Sequence, residues 1–152
     1  MLAGILSVTA ALVVATVAGL ALRRRNGRFQ DSAAPQSAEA QMDPVLHGLG
    51  VTPGPDVTLL QFSSAFCGPC RTTRALCADV AQTVPGVRHL EVDAESHLDA
   101  VRALDIWRTP TVLVIDRDGA VVSRASGAPS RAQLLGVVGA VLPQPETVTS
   151  TS

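Results

Sequence analysis

The chain contains no lysine, and all twelve of its basic residues are arginine. That is a compositional bias with no function attached to it. With a net charge of -1 over 152 residues, it has no basic field suited to nucleic acid and no strong pull on an acidic partner. Cysteine is scarce too: there are three, and only Cys67 and Cys70 lie two residues apart. His47, His89 and His97 fall in unrelated segments. A structural zinc site needs about four ligands, usually two Cys-x-x-Cys pairs or one pair with closely spaced histidines, so no metal site is expected. The chain carries no nicotinamide or flavin motif and no resident cofactor is expected.

What is present centres on Phe62-Ser63-Ser64-Ala65-Phe66-Cys67-Gly68-Pro69-Cys70-Arg71. An apolar run from Val57 to Phe62 leads into the cysteine pair, and the apolar spacing after it predicts a helix. A Cys-x-x-Cys at a strand-to-helix junction has the layout of a dithiol redox site. The first cysteine meets unpaired backbone N–H groups and the positive end of the helix dipole, both of which favour thiolate. Lowering a thiol from about 8.5 to about 7 corresponds to roughly 2 kcal/mol, within reach of a helix terminus and a nearby cation. Cys67 is thus the expected nucleophile, and Cys70, one turn on, the expected resolving thiol.

Cys67-Gly68-Pro69-Cys70 resembles the active-site tetrapeptide of the thioredoxin family. Three further marks agree in order and spacing. Thr109-Pro110-Thr111 before Val112-Leu113-Val114-Ile115 resembles the family's cis-proline loop. Asp116-Arg117-Asp118-Gly119 forms a turn before Ala120-Val121-Val122, and Gly127-Ala128 precedes the last helix. The match runs from about Asp56 to Leu142. It implies a three-layer α/β fold with a central mixed four-stranded sheet flanked by helices, and a reversible Cys67–Cys70 disulfide. It also implies that Gly68-Pro69 accompanies a reducing couple, that Pro110 is cis, and that Thr109 and Pro110 contact substrate. Periodicity places strands at Val57–Ser63, Val87–Val92, Pro110–Asp116 and Ala120–Ser126. Helices are expected at Cys67–Val84, Ser96–Leu104 and Ser130–Val141.

Several residues depart from the family pattern. Phe66 replaces the usual tryptophan, which keeps an aromatic beside the thiolate without an indole donor. Gln61 falls where a buried carboxylate usually sits, and His89 roughly where a lysine does. An amide cannot shuttle a proton, so the relay is either absent or rebuilt, and His89 is otherwise an ordinary strand histidine. Thr109 replaces an apolar residue. Arg71, where lysine is common, either favours the thiolate or is a solvated helix-face residue. Trp107, the sole tryptophan, is either a rim residue for a client or a loop anchor. Cys77 lies two turns after Cys70 on nearly the same face and is expected to be buried and unreactive; a third redox role would need it exposed.

Met1 to Leu22 carries no charged side chain, and about 20 helical residues cross a hydrocarbon core of roughly 30 Å. No basic residue precedes it, unlike a cleaved signal peptide, and Arg23-Arg24-Arg25 follows. The expectation is a single transmembrane anchor over residues 1–22 with the soluble domain on the cytoplasmic face of the membrane. Residues 23–43 are expected to be a basic, then flexible, tether, 44–142 the domain, and 143–152 a disordered tail. Asp43 to Pro55 is expected to pack loosely. The expected activity is thiol–disulfide exchange on protein disulfide clients, with electrons from another protein or a small thiol. Two alternatives remain: the same chemistry on exported or apocytochrome thiols outside the membrane, and a non-catalytic binding or metal-delivery module.

Overall fold

The computed structural model describes residues 11–21, 27–31 and 43–143. Residues 11–21 form a helix, α1. There follow β1 (Phe29–Asp31), α2 (Pro44–Gly48), β2 (Val57–Ser63), α3 (Gly68–Thr83), β3 (Val87–Asp93) and α4 (Leu98–Ala103). The chain continues with β4 (Thr111–Asp116), β5 (Val121–Ser126) and α5 (Arg131–Val141). The strands make one sheet in the order β1-β5-β4-β2-β3.

β2 is the axis of this sheet. It pairs parallel with β3 and antiparallel with β4, and all seven of its residues are buried. A strand covered on both faces is apolar almost throughout, as Val57–Phe62 is. Alternation sends Leu60 and Phe62 to one face, where they pack with Leu46, Val51, Ala100, Leu104 and Ile106. Val57 and Leu59 go to the other, against Cys77, Val80, Leu134 and Val138 of α3 and α5. Gln61 shares that second face.

The sheet has five strands, not the four expected. The extra strand, β1, lies inside the segment read as a tether and pairs antiparallel with β5, Phe29 opposite Ala125. Its reason is the edge of β5, whose backbone groups would otherwise go unpaired. Three residues are too few to leave a period in the sequence. Phe29 packs on the α3–α5 side of the core, and the Ser123 hydroxyl donates to the Gln30 carbonyl at 3.0 Å. Gly27 enters the strand at φ +75°, and a Cβ there would lie 2.0 Å from the Ala128 carbonyl oxygen. Only glycine fits that approach.

Among the described residues, no helix is long and apolar enough to cross a membrane. Residues 1–10 and 22 of the expected span lie outside the described residues, as do 23–26 and 32–42 of the tether and 144–152 of the tail. Asp43 to Pro55 does not pack loosely. The Asp43 carboxylate caps α2 by accepting from the Val45 N–H at 2.8 Å, and Leu46 and Val51 are fully buried. Two apolar side chains among glycines and prolines show no period, yet each fills the core beneath α4. α5 starts as expected, on a capping box in which Ser130 and Gln133 exchange side-chain and backbone hydrogen bonds.

Candidate active site

The β2-to-α3 junction turns on Ser64–Phe66, with the Cys67 N–H donating to the Ser64 carbonyl at 3.3 Å. Cys67 is the N-cap of α3, and its sulfur accepts from the Cys70 N–H at 3.1 Å. Pro69 sits in the first turn, where its missing N–H costs nothing. Cys67 and Cys70 are bridged, with their Cα atoms 5.2 Å apart. Cys67 is half-buried and Cys70 fully buried, whereas Phe66, Gly68 and Pro69 are exposed, Phe66 at 100%. The sulfur nearer solvent therefore lies at the positive end of the helix, where a developing thiolate is favoured.

The Thr109–Pro110 bond is cis. Its loop is tied to the β2–α3 junction by a 3.2 Å hydrogen bond between the Thr109 and Ser64 hydroxyls, so it stands three residues from Cys67. The Pro110 carbonyl accepts from the Gly127 N–H at 2.7 Å. Thr109 is half-exposed and Pro110 buried. Trp107 is 87% exposed, its indole N–H donating to Asp105 Oδ1 at 2.7 Å. The ring is thus not an anchor buried under the loop.

Beside the disulfide opens a cleft of about 380 Å³, lined by Ser63, Ser64, Cys67, Cys70, Arg74 and Glu91 among others. Arg74 binds Glu91 in a two-pronged ion pair, through Nε and through Nη2 to Oε1 at 2.6 Å. Burial pushes the Glu91 carboxyl up, but the Arg74 guanidinium and the Ser63 hydroxyl outweigh it and hold it below its ordinary value. Nothing in the sequence marks this pair. Seventeen residues separate its members, and only the packing of α3 on β3 joins them. Arg71 is exposed and lines the same cleft.

Behind the cysteines lies a polar layer between α3 and the sheet. Gln61 is fully buried, and its amide donates to the Cys70 carbonyl at 3.1 Å. Gln61 Oε1, Thr73 Oγ1 and His89 Nε2 are buried without a hydrogen-bond partner. Cys77 is a free, fully buried thiol. Burial, and then the Glu91 charge, push it up to about 12. In the folded protein at pH 8 its alkylation should lag its rate in denaturant by at least about 100-fold, because the thiolate is the reactive form. Timed iodoacetamide labelling read by peptide mass checks this, and comparable rates would contradict the burial.

A Cys-x-x-Cys disulfide at a helix N-terminus, with a cis-proline loop hydrogen-bonded to the same strand–helix junction of a mixed sheet, defines a dithiol–disulfide domain of the thioredoxin-like class. Comparison with known proteins agrees: residues 51–140 match the thioredoxin family, and the chain belongs to that family. It is 33% identical over 72 residues to thioredoxin H4-1 of Oryza sativa subsp. japonica, covering 47% of this chain and 54% of that protein. It is 28% identical to thioredoxin H1 of Arabidopsis thaliana, over 47% of this chain and 62% of that protein. The chain thus spans little more than half the length of these relatives. In fold it is similar to oxidised mitochondrial thioredoxin 3 of Saccharomyces cerevisiae. The TM-score is 0.55 at 20% identity, covering 63% of this chain and 89% of that structure.

Proposed function

We propose that the chain is a thiol–disulfide oxidoreductase that reduces disulfides in protein clients. The observation that carries this reading is the half-buried Cys67 at the N-terminus of α3, bridged to a buried Cys70, with the cis Thr109–Pro110 loop hydrogen-bonded to Ser64 of the same junction. In the reduced protein, the Cys67 thiolate attacks one sulfur of a client disulfide. A Cys67–client bond forms as the client's bond breaks, and one client thiolate leaves. Cys70 then gives up its proton and attacks Cys67, releasing the second client thiolate and closing the Cys67–Cys70 disulfide. Two electrons pass to the client. A separate protein or small thiol must restore the dithiol. Thr109 and Pro110, held to the β2–α3 junction through Ser64, are assigned to the client's backbone, and Phe66 and Trp107 are exposed aromatic residues available to a client.

The domain is further read as membrane-tethered through the apolar segment that ends at Leu22, with Arg23, Arg24, Arg25 and Arg28 keeping it on the cytoplasmic side. Moving four guanidiniums across is disfavoured by about 2.3 kcal/mol per charge per 100 mV. β1 supports a particular orientation. Its lead residue Gly27 donates to the Ser126 carbonyl at 2.9 Å, next to the Gly127–Pro110 hydrogen bond. The chain therefore enters the domain at the pole that carries the disulfide. Five residue steps, from 22 to 27, reach at most about 18 Å, so an anchored domain keeps its redox face close to the bilayer.

Insulin disulfide reduction with dithiothreitol tests the activity: the native chain should accelerate it and Cys67→Ser should not. Equal rates would leave a binding or metal-delivery module. Carbonate-resistant membrane attachment, with an inactive C-terminal alkaline phosphatase fusion, tests the placement. An active fusion would move the domain outside and turn it toward exported clients.

A further inference from the structure

Gln61 Oε1, Thr73 Oγ1 and His89 Nε2 are, among the described residues, the buried side-chain nitrogen and oxygen atoms that lack a partner. All three occupy one layer. Gln61 stands on the α3-facing side of β2 and holds the Cys70 carbonyl. Thr73 is on the buried stripe of α3, one turn beyond Cys70 in the series Cys70, Thr73, Cys77, Val80. His89 is on β3, opposite Leu59, and Glu91 is opposite Gln61. Odd-numbered residues of both parallel strands point toward α3. His89 therefore lies one residue pair deeper than Gln61, about 7 Å along the strand, and Thr73 lies between it and Cys70. Buried polar atoms without partners are costly, so three in one layer need an explanation.

We propose that Gln61, Thr73 and His89 form the proton exit of Cys70, with His89 Nε2 as the acceptor. The inference rests on the reductase reading above. One acceptor (the Gln61 carbonyl oxygen), one donor–acceptor (the Thr73 hydroxyl) and one imidazole nitrogen are complementary groups that together can pass a proton along the layer. When Cys70 attacks the mixed disulfide, its S–H proton passes through the Thr73 layer to His89 Nε2 and an imidazolium forms. The Cys70 sulfur bonds Cys67, and the client thiolate departs and takes a proton from solvent. His89 acts through these groups rather than on the sulfur itself. It is a positioning and proton-accepting residue, not a nucleophile.

The surroundings keep the acceptor neutral. Burial lowers His89 below its ordinary value; Glu91 on the same strand raises it, and Arg74 of α3 lowers it again. The Cys77 thiol, pushed up to about 12, stays protonated. Gln61 of β2 brings no charge. At neutral pH the imidazole is thus free to accept, and it loses that capacity as pH falls through its lowered pKa.

The test uses the reduced full-length chain and a peptide disulfide, acid-quenched and read by intact mass. Formation of the Cys67–peptide adduct and its decay are timed separately between pH 5 and 8. Adduct formation should be the same in His89→Asn and native protein. Decay should slow by about 10- to 100-fold, and the native fall in decay rate at low pH should vanish in His89→Asn. Thr73→Val, which keeps the side-chain shape and removes the hydroxyl, should slow decay in the same direction and stands in if His89→Asn fails to fold. Decay rates and pH profiles that superimpose on native for a folded variant would overturn the proposal. An adduct that never forms in the native chain would instead overturn the reductase reading.

Discussion

Cys70→Ser should convert the protein from a catalyst into a trap. Cys67 keeps its place at the N-cap of α3, so attack on a client disulfide continues. Release does not. In the native chain the resolving sulfur is one helical turn away, with 5.2 Å between the Cα atoms. Well-aligned intramolecular reactions of this kind reach effective molarities of about 10⁵ M. A millimolar external thiol replaces only a small part of that advantage, so multiple turnover should fall by at least about 10³-fold. Cys77 offers no substitute, since it is fully buried and its thiol is pushed up to about 12. The adduct should appear on a non-reducing gel as a one-to-one complex that dithiothreitol dissolves. Undiminished turnover in Cys70→Ser, or an equal adduct in Cys67→Ser, would reverse the two roles.

The second large effect concerns two phenylalanines four residues apart. Phe62 is fully buried on β2, packed against Leu46, Val51 and Ile106, whereas Phe66 is 100% exposed. Phe62→Ala removes a ring from the centre of the sheet and leaves a cavity, which costs about 3–5 kcal/mol. Set against total stabilities of about 5–15 kcal/mol, that is enough to leave the domain marginal. Phe66→Ala should shift the urea midpoint by less than about 0.5 kcal/mol equivalent and change only how clients bind. If both variants unfold at the native midpoint, β2 is not the axis of the core.

These two residues also show what local pattern conveys. Phe62 ends a mostly apolar run, interrupted by Thr58 and Gln61, as a strand covered on both faces shows, while Phe66 stands alone beside the cysteines. The order of elements from β2 to α5, the Cys67–Cys70 junction and the helix from Ser130 are written in adjacent residues, and the loop at Pro110 in a short motif that resembles the family's. Each rests on backbone periodicity or end chemistry that needs no distant partner. The edge strand β1 is different. Phe29-Gln30-Asp31 has no strand pattern and becomes a strand because β5 presents unpaired backbone groups and Gly27 fits under the Ala128 carbonyl. Leu46 and Val51 are likewise two apolar residues in a glycine- and proline-rich stretch until α4 and β2 close around them.

The site divides along the same line. Sequence by itself determined which cysteine caps the helix and which lies a turn inside, because a two-residue spacing at a helix start has one geometry. It also put an amide at Gln61 and an imidazole at His89. Tertiary structure alone decided that Arg74 pairs with Glu91 in the lining of the cleft, that Ser64 holds Thr109 beside the β2–α3 junction, and that Gln61, Thr73 and His89 share one buried layer behind Cys70. The physical reason is separation along the chain. Those groups come from β2, α3, β3 and the loop before β4, and a hydrogen bond or an unpartnered buried atom exists only once packing has brought such segments within a few ångströms of each other.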